Sequence, residues 1–294
     1  MPMPELSIII ISYNTKEITK RCLETVVASL KTDPTVKAEI IVLDNNSSDG
    51  SVEMLKKFRG IECIFSKENL GFGKGNNEAV KQAKGEYLLF LNSDTEALDD
   101  AIPQLLAQFK QSKFDFAGAR LLNKNKTIQY SAGRFYTLPI AFLALFLFAD
   151  RWHGSRYSPA STQKVDWVSG ACFITRKETY EQLNGFDPAI FMYWEEVDLF
   201  YRAAMQNLSV GFFPQPTFIH LEGASSKSRS APIIKVFEGY LIFYKKHYSP
   251  LHVGVLRCML QLKALSSLLV GKLIGSTYLI ETYSKAYEVS KKTR

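Results

Sequence analysis

Cysteine, histidine and long hydrophobic runs are scarce in this chain of 294 residues. The four cysteines form no CxxC pair, which argues against a zinc knuckle or a disulfide framework and favours buried, reduced thiols. No GxxxxGK[ST] loop is present, so the class of P-loop nucleotide hydrolases is excluded. The opening residues Met1–Glu5 lack the charged lead-in of a secretory signal, and we expect a cytoplasmic protein.

No segment is a convincing membrane span by its sequence. The longest charge-free apolar stretch, Phe135–Ala149, is about five residues short of a spanning helix. The stretch Leu251–Ile280 is apolar, but Arg257, Lys263 and Lys272 interrupt it. We expect this basic, leucine-rich helix to lie on the inner face of the cell membrane. The alternative is a helix packed on the rest of its own chain or in a homodimer.

The charge is distributed unevenly along the chain. The net charge is +7, yet the 12 basic and 3 acidic residues from Lys227 onward have a balance of +9, so the first 226 residues carry −2. This division predicts a near-neutral domain over residues 1–226 and a basic, amphipathic helical extension over residues 227–294. Because the extension lacks regularly interleaved aromatic residues, a nucleic-acid partner is not expected.

Apolar strands and helical stretches alternate through the first half of the sequence. Strands are predicted at Leu6–Ser12, Glu39–Leu43, Ile61–Ser66 and Glu86–Leu91, and helices at Glu17–Lys31, Val52–Phe58 and Phe72–Lys84. This order predicts an α/β fold with a mostly parallel sheet and crossover helices. Ligands of such sheets bind at the carboxyl ends of the strands, where the predicted loops are short and polar.

Several motifs at these strand ends resemble those of a known family. They are SIIIISYN (Ser7–Asn14), LDNNSSDGS (Leu43–Ser51), NLGFGKGNN (Asn69–Asn77), LNSDTE (Leu91–Glu96) and a block from Ser169 to Ala203. The sequence resembles the family-2 nucleotide-sugar glycosyltransferases, which have the GT-A fold, a Rossmann-like sheet flanked by helices. A dinucleotide-binding reading is disfavoured, because Asn76 stands at the third glycine position of GxGxxG.

The resemblance implies where the nucleotide-sugar donor binds. Asp44 corresponds to the acid that contacts the base or ribose, and Gly170 would let the backbone approach the donor sugar. The residues that we expect to line the donor are Asn14, Asp44, Asn46, Asn69, Gly71, Asn76, Asn92, Ser93 and Gly170.

A divalent cation is also implied, because it neutralises the departing diphosphate. Asp94 ends the family's acidic DxD motif, and His220 lies where the family often places a second metal or diphosphate ligand. Asn92 replaces the first acid of that motif, which leaves one carboxylate. We expect Mn²⁺ or Mg²⁺ at Asp94 and His220.

The catalytic base is expected at the start of a helix rich in acids. By resemblance it maps to Glu196, with Glu195 orienting it or the acceptor, although either glutamate could serve as base. Helix capping is the structural alternative for these acids. Trp194 is a candidate for stacking on an acceptor sugar, and a core aromatic is the equal alternative. A single displacement by one base implies inversion at the anomeric carbon.

Within the family, the stretch Gln129–Arg134 and the basic tail look most like bacterial rhamnosyltransferases of surface-polysaccharide synthesis. The expected donor is dTDP-rhamnose, and the expected acceptor is a glycan or a polyprenyl-diphosphate-linked sugar. Two alternatives remain: the same chemistry with a UDP-hexose, or an inactive sugar-nucleotide-binding protein, which Asn92 motivates. A nucleotidyltransferase is disfavoured because Tyr13–Thr15 is not a glycine-rich basic loop.

Overall fold

The computed structural model describes residues 3–149, 152–221 and 230–291. The strands in these ranges are β1 (Leu6–Ser12), β2 (Ala38–Asp44), β3 (Glu62–Phe65), β4 (Tyr87–Asn92), β5 (Thr95–Ala97), β6 (Phe116–Leu122), β7 (Ile128–Gln129), β8 (Ala132–Gly133), β9 (Arg156–Tyr157), β10 (Gln163–Val165), β11 (Trp167–Val168), β12 (Cys172–Arg176) and β13 (Val210–His220). The helices are α1 (Lys16–Lys31), α2 (Ser51–Lys57), α3 (Gly71–Val80), α4 (Ala101–Gln111), α5 (Leu138–Phe146), α6 (Lys177–Gln182), α7 (Glu195–Met205), α8 (Ser230–His247), α9 (Pro250–Leu273) and α10 (Thr277–Lys291).

The strands and helices predicted in the first half of the sequence are confirmed. β1 has the predicted bounds, and the other three predicted strands differ by one residue at each end. The third helix ends at Val80 rather than Lys84. There the chain leaves the helix through two tighter turns, in which the N–H groups of Gln82 and Ala83 bond to the carbonyls three residues before them.

One large mixed sheet organises the fold. Its main path runs β10–β13–β6–β12–β4–β1–β2–β3. β1 pairs in parallel with β2 and β4, and β2 pairs in parallel with β3. β12 lies antiparallel between β4 and β6, and β13 runs parallel to β6. The sheet is therefore largely parallel, as the alternation of strands and helices predicted.

The core forms on both faces of the central strands. Ile8, Ile9 and Ile10 of β1 are all fully buried, which explains a continuous β-branched run rather than an alternating one. Each such side chain contributes roughly 1.5–3 kcal/mol by leaving water. On one face, these strands pack against α1 and α4 through Leu23 and Leu105.

The carboxyl ends of the parallel strands meet at one edge of the sheet. Ser12 of β1 is in register with Asp44 of β2, and Ile11 is in register with Asn92 of β4. β13 also ends at this edge, because it runs parallel to β6, and His220 is in register with Thr95. The structure thus gathers the strand-end loops predicted to bind a ligand.

Contacts divide the chain into two compact units. The first comprises the described residues within Met1–Gly133, Tyr157–Phe191 and Glu195–Ser225. The second comprises those within Arg134–Arg156, Met192–Trp194 and Ser226–Arg294. The predicted boundary at residue 226 lies outside the described residues, and two earlier segments belong with the C-terminal residues. Their assignment depends on tertiary contacts, which a one-dimensional charge pattern does not contain.

The second unit corrects the expectation that the cysteines are buried, and it does not overturn the expectation that no segment is a convincing membrane span. It is built mainly from α5, α8, α9 and α10, and α9 is long and apolar enough to cross a membrane by its length and composition. Such a helix is weak evidence of a span, because the core helix of a soluble protein can pass the same test. Cys258 on α9 is exposed rather than buried, because it lies opposite the face that packs within the unit.

Candidate active site

Asn14 joins the loops that follow β1 and β2. Its N–H donates to Ser47 Oγ at 2.9 Å, and its Oδ1 accepts from the Ser48 N–H at 2.8 Å. Its φ of 51° is a left-handed conformation that asparagine tolerates better than most residues. Asn14 therefore holds the two loops together. Its place beside the nucleotide-sugar donor stays a prediction.

Asp44 presents a buried carboxylate oxygen at the end of β2. The residue is 1% exposed, and its Oδ1 accepts from the Ser47 N–H at 2.8 Å. Its Oδ2 has no partner among the described residues. A buried acceptor left unpaired is costly unless a ligand N–H or O–H reaches it, so Asp44 fits a contact with a base or ribose. The neighbouring Asn46 is exposed, with a φ of 67°.

The loop after β3 is held by Asn45, which the sequence analysis did not single out. Asn45 is buried, its Nδ2 donates to the Gly71 carbonyl at 3.1 Å, and its Oδ1 accepts from the Leu70 N–H at 3.2 Å. Asn69 Oδ1 accepts from the Gly71 N–H at 2.9 Å, which closes the turn. The two asparagines therefore set the shape of this loop.

Gly71 is required by its conformation and by its neighbour. Its φ is 77°, and an added Cβ would lie 2.4 Å from the Phe191 carbonyl oxygen. The Phe72 N–H donates to the same oxygen at 3.2 Å. Asn76 is buried, and its Nδ2 donates to the Phe72 carbonyl at 3.0 Å, one helical turn earlier. Both residues thus have structural reasons to be there.

Asp94 and His220, 126 positions apart in sequence, lie side by side. His220 Nε2 is 3.2 Å from Asp94 Oδ1 and 3.3 Å from Asn92 Nδ2. The side chains of Asp94 and His220 are 12% and 11% exposed. The Leu221 N–H donates to the Asp94 carbonyl at 2.9 Å, which ties the end of β13 to the turn after β4. Ser93 lies in that turn, with its Oγ 3.5 Å from Thr15 Oγ1.

Gln129 determines which nitrogen of His220 carries a proton. Gln129 Nε2 donates to Asn123 Oδ1 at 3.2 Å and to the His220 carbonyl at 3.4 Å, so its Oε1 faces the imidazole. His220 Nδ1 lies 2.7 Å from that oxygen and must be the donor. In the neutral ring, Nε2 then carries the lone pair that a metal ion uses.

The oxygen and nitrogen atoms around Asp94 fit a divalent cation that a bound phosphate would also coordinate. Asn92 Oδ1 is buried and has no partner within the described part of the chain, so an oxygen beside Asp94 and His220 is unused. No three His, Cys, Asp or Glu side chains converge on a common point in the residues that the structure describes. Two protein ligands are sufficient when phosphate oxygens and water complete the coordination, as is usual for Mg²⁺.

Glu196 reaches the same edge of the sheet through Gly170. A Cβ at Gly170 would lie 3.3 Å from the Phe72 ring and 3.7 Å from Glu196 Cβ. The next residue, Ala171, accepts from the Asn92 N–H through its carbonyl at 3.0 Å. A short series of contacts therefore links Glu196 to the turn that carries Asp94. The absence of a side chain at position 170 lets the helix start approach the strand end.

The acids at the start of α7 differ in their environments. Glu195 is 6% exposed, and its Oε2 has no partner among the described residues. Burial raises the pKa of Glu195 well above its usual range, and the adjacent charge of Glu196 raises it further. Asp198 is fully buried, and its Oδ2 accepts from Arg202 Nε at 2.8 Å. Asp198 thus has a structural partner, and Glu195 and Glu196 stay the predicted acids for the chemistry.

Trp194 lies among aromatic residues of the second unit. It is 6% exposed, and its ring centroid is 4.9 Å from that of Tyr136 and 4.1 Å from that of Tyr240. An added Cβ at Gly239 would lie 2.2 Å from the indole. This packing favours the core aromatic that the sequence left open as the alternative to a sugar-stacking residue. The acceptor role remains a prediction that the proposed site does not use.

Asn77 is a second supporting residue that sequence reasoning missed. Its Oδ1 accepts from Tyr180 Oη at 2.6 Å and from the Phe186 N–H at 3.0 Å, and its Nδ2 donates to the Phe186 carbonyl at 2.8 Å. It thereby holds the Gly185–Phe186 turn against α3. Three supporting residues bond to groups that are distant in sequence: Asn45, Asn77 and Gln129. The only sequence feature that could have indicated their role is their position in or beside the motifs.

The sheet order, the strand-end site and the paired Asp94 and His220 define a GT-A glycosyltransferase. The sequence profile described as Glycosyl transferase family 2 matches residues 7–184, and the chain belongs to that family. The predicted fold class and family are thereby confirmed.

Two relatives with similar sequences are bacterial rhamnosyltransferases. The chain is 28% identical over 230 residues to Rhamnosyltransferase WbbL of Escherichia coli, covering 75% of this chain and 85% of the relative. It is 25% identical over 225 residues to the N-acetylglucosaminyl-diphospho-decaprenol L-rhamnosyltransferase of Mycobacterium tuberculosis, covering 69% and 73% of the two chains.

Two solved structures have a similar fold. Residues 1–349 of S. aureus TarS superpose with a TM-score of 0.57 at 16% identity, covering 98% of this chain and 81% of that one. GalNAc-T7, solved with UDP, GalNAc and Mn²⁺, superposes with a TM-score of 0.60 at 16% identity. That match covers 83% of this chain and 48% of GalNAc-T7. At these identities the likeness concerns the fold alone.

Proposed function

We propose that this glycosyltransferase moves L-rhamnose from dTDP-rhamnose, with inversion, to a glycan or a polyprenyl-diphosphate-linked acceptor in surface-polysaccharide synthesis. The observation that supports the proposal is the contact of Asp94 with His220 at the sheet edge, where Glu196 Cβ lies 3.7 Å from an added Cβ at Gly170. The two rhamnosyltransferase relatives support the choice of sugar, and the second supports a lipid-diphosphate acceptor by its name.

The nucleotide binds at the loops after β1 to β3. Asp44 Oδ2 is a buried acceptor that requires a donor, and the imide N–H of thymine or uracil, or a ribose hydroxyl, provides one. Asn14, Asn45 and Asn69 keep the surrounding loops in place through the hydrogen bonds given above. A nucleotide recognised in this way can carry either base, so UDP-hexoses stay in the proposal as alternative donors.

Asp94 and His220 would hold a Mn²⁺ or Mg²⁺ ion together with the diphosphate of the donor. Such an ion, when bound, stabilises the negative charge that develops on the departing nucleoside diphosphate. Gln129 keeps the Nδ1 proton of His220 in place, which leaves Nε2 directed toward Asp94. Asn92 supplies an amide oxygen where the family pattern has a second acid.

Glu196 removes the proton from the acceptor hydroxyl as that oxygen attacks the anomeric carbon. The C–O bond to the diphosphate breaks, the new glycosidic bond forms on the opposite face, and the proton moves to the Glu196 carboxylate. Burial and, after it, the charge of Glu196 raise the pKa of Glu195, which favours its protonated, neutral form. A neutral Glu195 adds no second charge to the base, and its hydroxyl can donate to the acceptor or to Glu196.

The protein acts at the cytoplasmic face of the membrane, where lipid-linked acceptors are presented. The apolar helix α9 and the positive balance of the C-terminal residues support this location. A homodimer formed through the second unit is the alternative use of that helix.

The decisive experiment follows the release of nucleoside diphosphate. The full chain is incubated with dTDP-rhamnose or with UDP-hexoses, a polyprenyl-diphosphate-linked sugar and Mn²⁺. Release with dTDP-rhamnose alone supports the rhamnosyltransferase, and release with a UDP-hexose alone supports the alternative donor. Nucleotide binding without release from any donor would identify the inactive binding protein.

Replacement of Glu196 tests the role of the base. Glu196→Gln should lower turnover by about two to four orders of magnitude and leave nucleotide binding nearly unchanged. Glu178→Gln is the matched control, because Glu178 is also an acid in the first turn of a helix, α6, and is exposed. Retained turnover in Glu196→Gln would assign the base to another residue, with Glu195 the first to test.

A further inference from the structure

Helix α9 has two apolar faces, of which only one packs within the second unit. Leu256, Leu260 and Ala264 are buried, and Gly271 packs closely against Leu279 of α10. On the opposite side are exposed side chains that lie within an arc of about 80° at 100° per residue. These residues form the stripe: Leu251, Val255, Leu262, Leu265, Leu269 and Leu273.

The stripe runs along the whole helix, about 36 Å for its 24 residues. Only 17% of the most apolar 18-residue window of α9 is buried, so α9 is not the covered core helix of a soluble domain. Exposed apolar surface of this length is rare on soluble monomers and marks an interaction site.

A second exposed apolar group borders the stripe. Leu147, Phe148 and Trp152 project after α5 and form the knob. Trp152 Nε1 donates to the Leu147 carbonyl at 2.9 Å, which braces the indole. Lys263 of α9 places its Nζ 5.5 Å from the centre of the Phe148 ring, so the knob lies beside the stripe.

The charges around the stripe indicate the kind of partner. Arg257 and Lys272 lie on one flank of α9 and Lys263 on the other, and none has an acidic partner within the described ranges. Burial lowers the pKa of Lys245 on α8, and the positive charge of Arg257 lowers it further, so the two basic groups lie close together. Helix α9 contains no Asp or Glu. Two copies meeting through the stripe would therefore bring like charges together.

We propose that the stripe and the knob dock on an anionic lipid leaflet, with α9 parallel to the membrane surface. The leucines enter the boundary of the acyl chains, and the flanking cations reach outward to lipid phosphates, as amphipathic interfacial helices do. Trp152 takes the headgroup position that tryptophan prefers. Docking on the leaflet would bring the enzyme to a lipid-linked acceptor, and only this purpose rests on the proposed function.

Binding to vesicles tests the surface directly. The full chain should bind vesicles of phosphatidylglycerol and phosphatidylethanolamine. It should bind much more weakly to vesicles of neutral phosphatidylcholine, or to the anionic vesicles at high salt. Leu262→Glu with Leu269→Glu should weaken this binding by about tenfold or more for each leucine. Met205→Glu is the matched control, since Met205 is an exposed apolar residue of α7 in the first unit, and it should bind as the unaltered chain does. Equal binding by all three proteins would overturn the proposal.

Fluorescence tests the knob, because the structure makes Trp152 a selective probe. Of the three tryptophans, Trp152 is 51% exposed, whereas Trp167 and Trp194 are 2% and 6% exposed. Anionic vesicles should shift the emission to the blue, and shallow brominated lipids should quench it more than deep ones. Trp152→Phe should remove this response and retain vesicle binding. An unchanged emission on binding would overturn the role of the knob.

Two measurements distinguish the other possible occupants of the stripe. Alkaline carbonate should release the protein from membranes, and resistance to it would overturn surface docking in favour of a span. Sedimentation should give the same mass for the unaltered chain and the double leucine variant. A dimer that the variant dissociates, without any vesicle binding, would assign the stripe to a second copy.

Nucleotide binding without vesicles separates this inference from the proposed function. dTDP should bind the double leucine variant as it binds the unaltered chain. Failure of the unaltered chain to bind vesicles while it binds dTDP would overturn docking alone. Vesicle binding without dTDP or UDP binding would overturn the proposed function alone.

Discussion

His220 Nδ1 lies 2.7 Å from Gln129 Oε1, and the same ring presents Nε2 to Asp94 Oδ1 at 3.2 Å. The amide orientation of Gln129 is itself held by Asn123, so the tautomer of His220 follows from a chain of hydrogen bonds. A residue outside the proposed metal pair thus orients one of its two proposed ligands.

Replacement of Gln129 should weaken metal binding. Without an acceptor for Nδ1–H, the ring of Gln129→Leu is free to turn or to protonate Nε2. The affinity for Mn²⁺ in the presence of dTDP should fall by about 10- to 100-fold, measured by calorimetry. Gln129→Glu retains an acceptor and should restore binding in part. Gln182→Leu, at an exposed glutamine of α6, is the control, and equal affinities in Gln129→Leu and the control would contradict the role.

The unused oxygen of Asp44 should contribute to nucleotide affinity. Asp44→Asn keeps an oxygen for the Ser47 N–H and replaces the other acceptor with an NH₂ group that cannot accept. Binding of dTDP should weaken by about 10- to 100-fold, measured by calorimetry without metal. Asp100→Asn is the control, because Asp100 makes no capping hydrogen bond through its side chain at the start of α4. Unchanged affinity of Asp44→Asn for dTDP would mean that the thymine base and the sugar of the nucleotide bind away from Asp44.

Glu195 should make stability depend on pH. The pKa of Glu195 is higher in the folded chain than in the unfolded chain. As the pH rises above about 4.3, the unfolded chain therefore loses the Glu195 proton before the folded chain does. The free energy of unfolding of the unaltered chain therefore falls as the pH increases. Glu195→Gln removes the titrating group and with it this decrease. Urea unfolding should show the variant more stable than the unaltered chain at pH 8 and equal to it below pH of about 4.

The control for that experiment is Glu178→Gln, which replaces an exposed glutamate. Its free energy of unfolding should follow that of the unaltered chain across the same pH range. A constant difference between Glu195→Gln and the unaltered chain at every pH would contradict a raised pKa for Glu195.

Two glycines with similar backbone conformations should respond differently to alanine. Gly60 has a φ of 82° with no atom within 4 Å of an added Cβ, whereas a Cβ at Gly71 lies 2.4 Å from the Phe191 oxygen. Gly60→Ala should cost about 1–2 kcal/mol of unfolding free energy from backbone conformation alone. Gly71→Ala should cost more and also weaken dTDP binding, as measured by urea unfolding and calorimetry. Equal costs would mean that the Phe191 contact is unimportant.

Local patterns were sufficient for the strands and helices of the first half. Runs such as Leu6–Ser12 are buried on both faces, and the polar loops follow the strand ends as the alternation required. Asp94 and His220 were predicted as a pair from their resemblance to family motifs, and the structure places them side by side. These features depend on neighbours in sequence, and so they can be read from it.

Tertiary structure alone decided the partners of these residues. Asn45 and Gln129 are ordinary polar residues until the fold brings Gly71 and His220 to them. Trp194 and Glu195 are adjacent in sequence, yet Trp194 packs with aromatics of the second unit and Glu195 belongs to the first. Helix α9 is apolar on both sides in its sequence, and only packing distinguishes the buried side from the exposed one. Periodicity records which side chains share a face, whereas burial and pairing depend on contacts between distant segments of the chain.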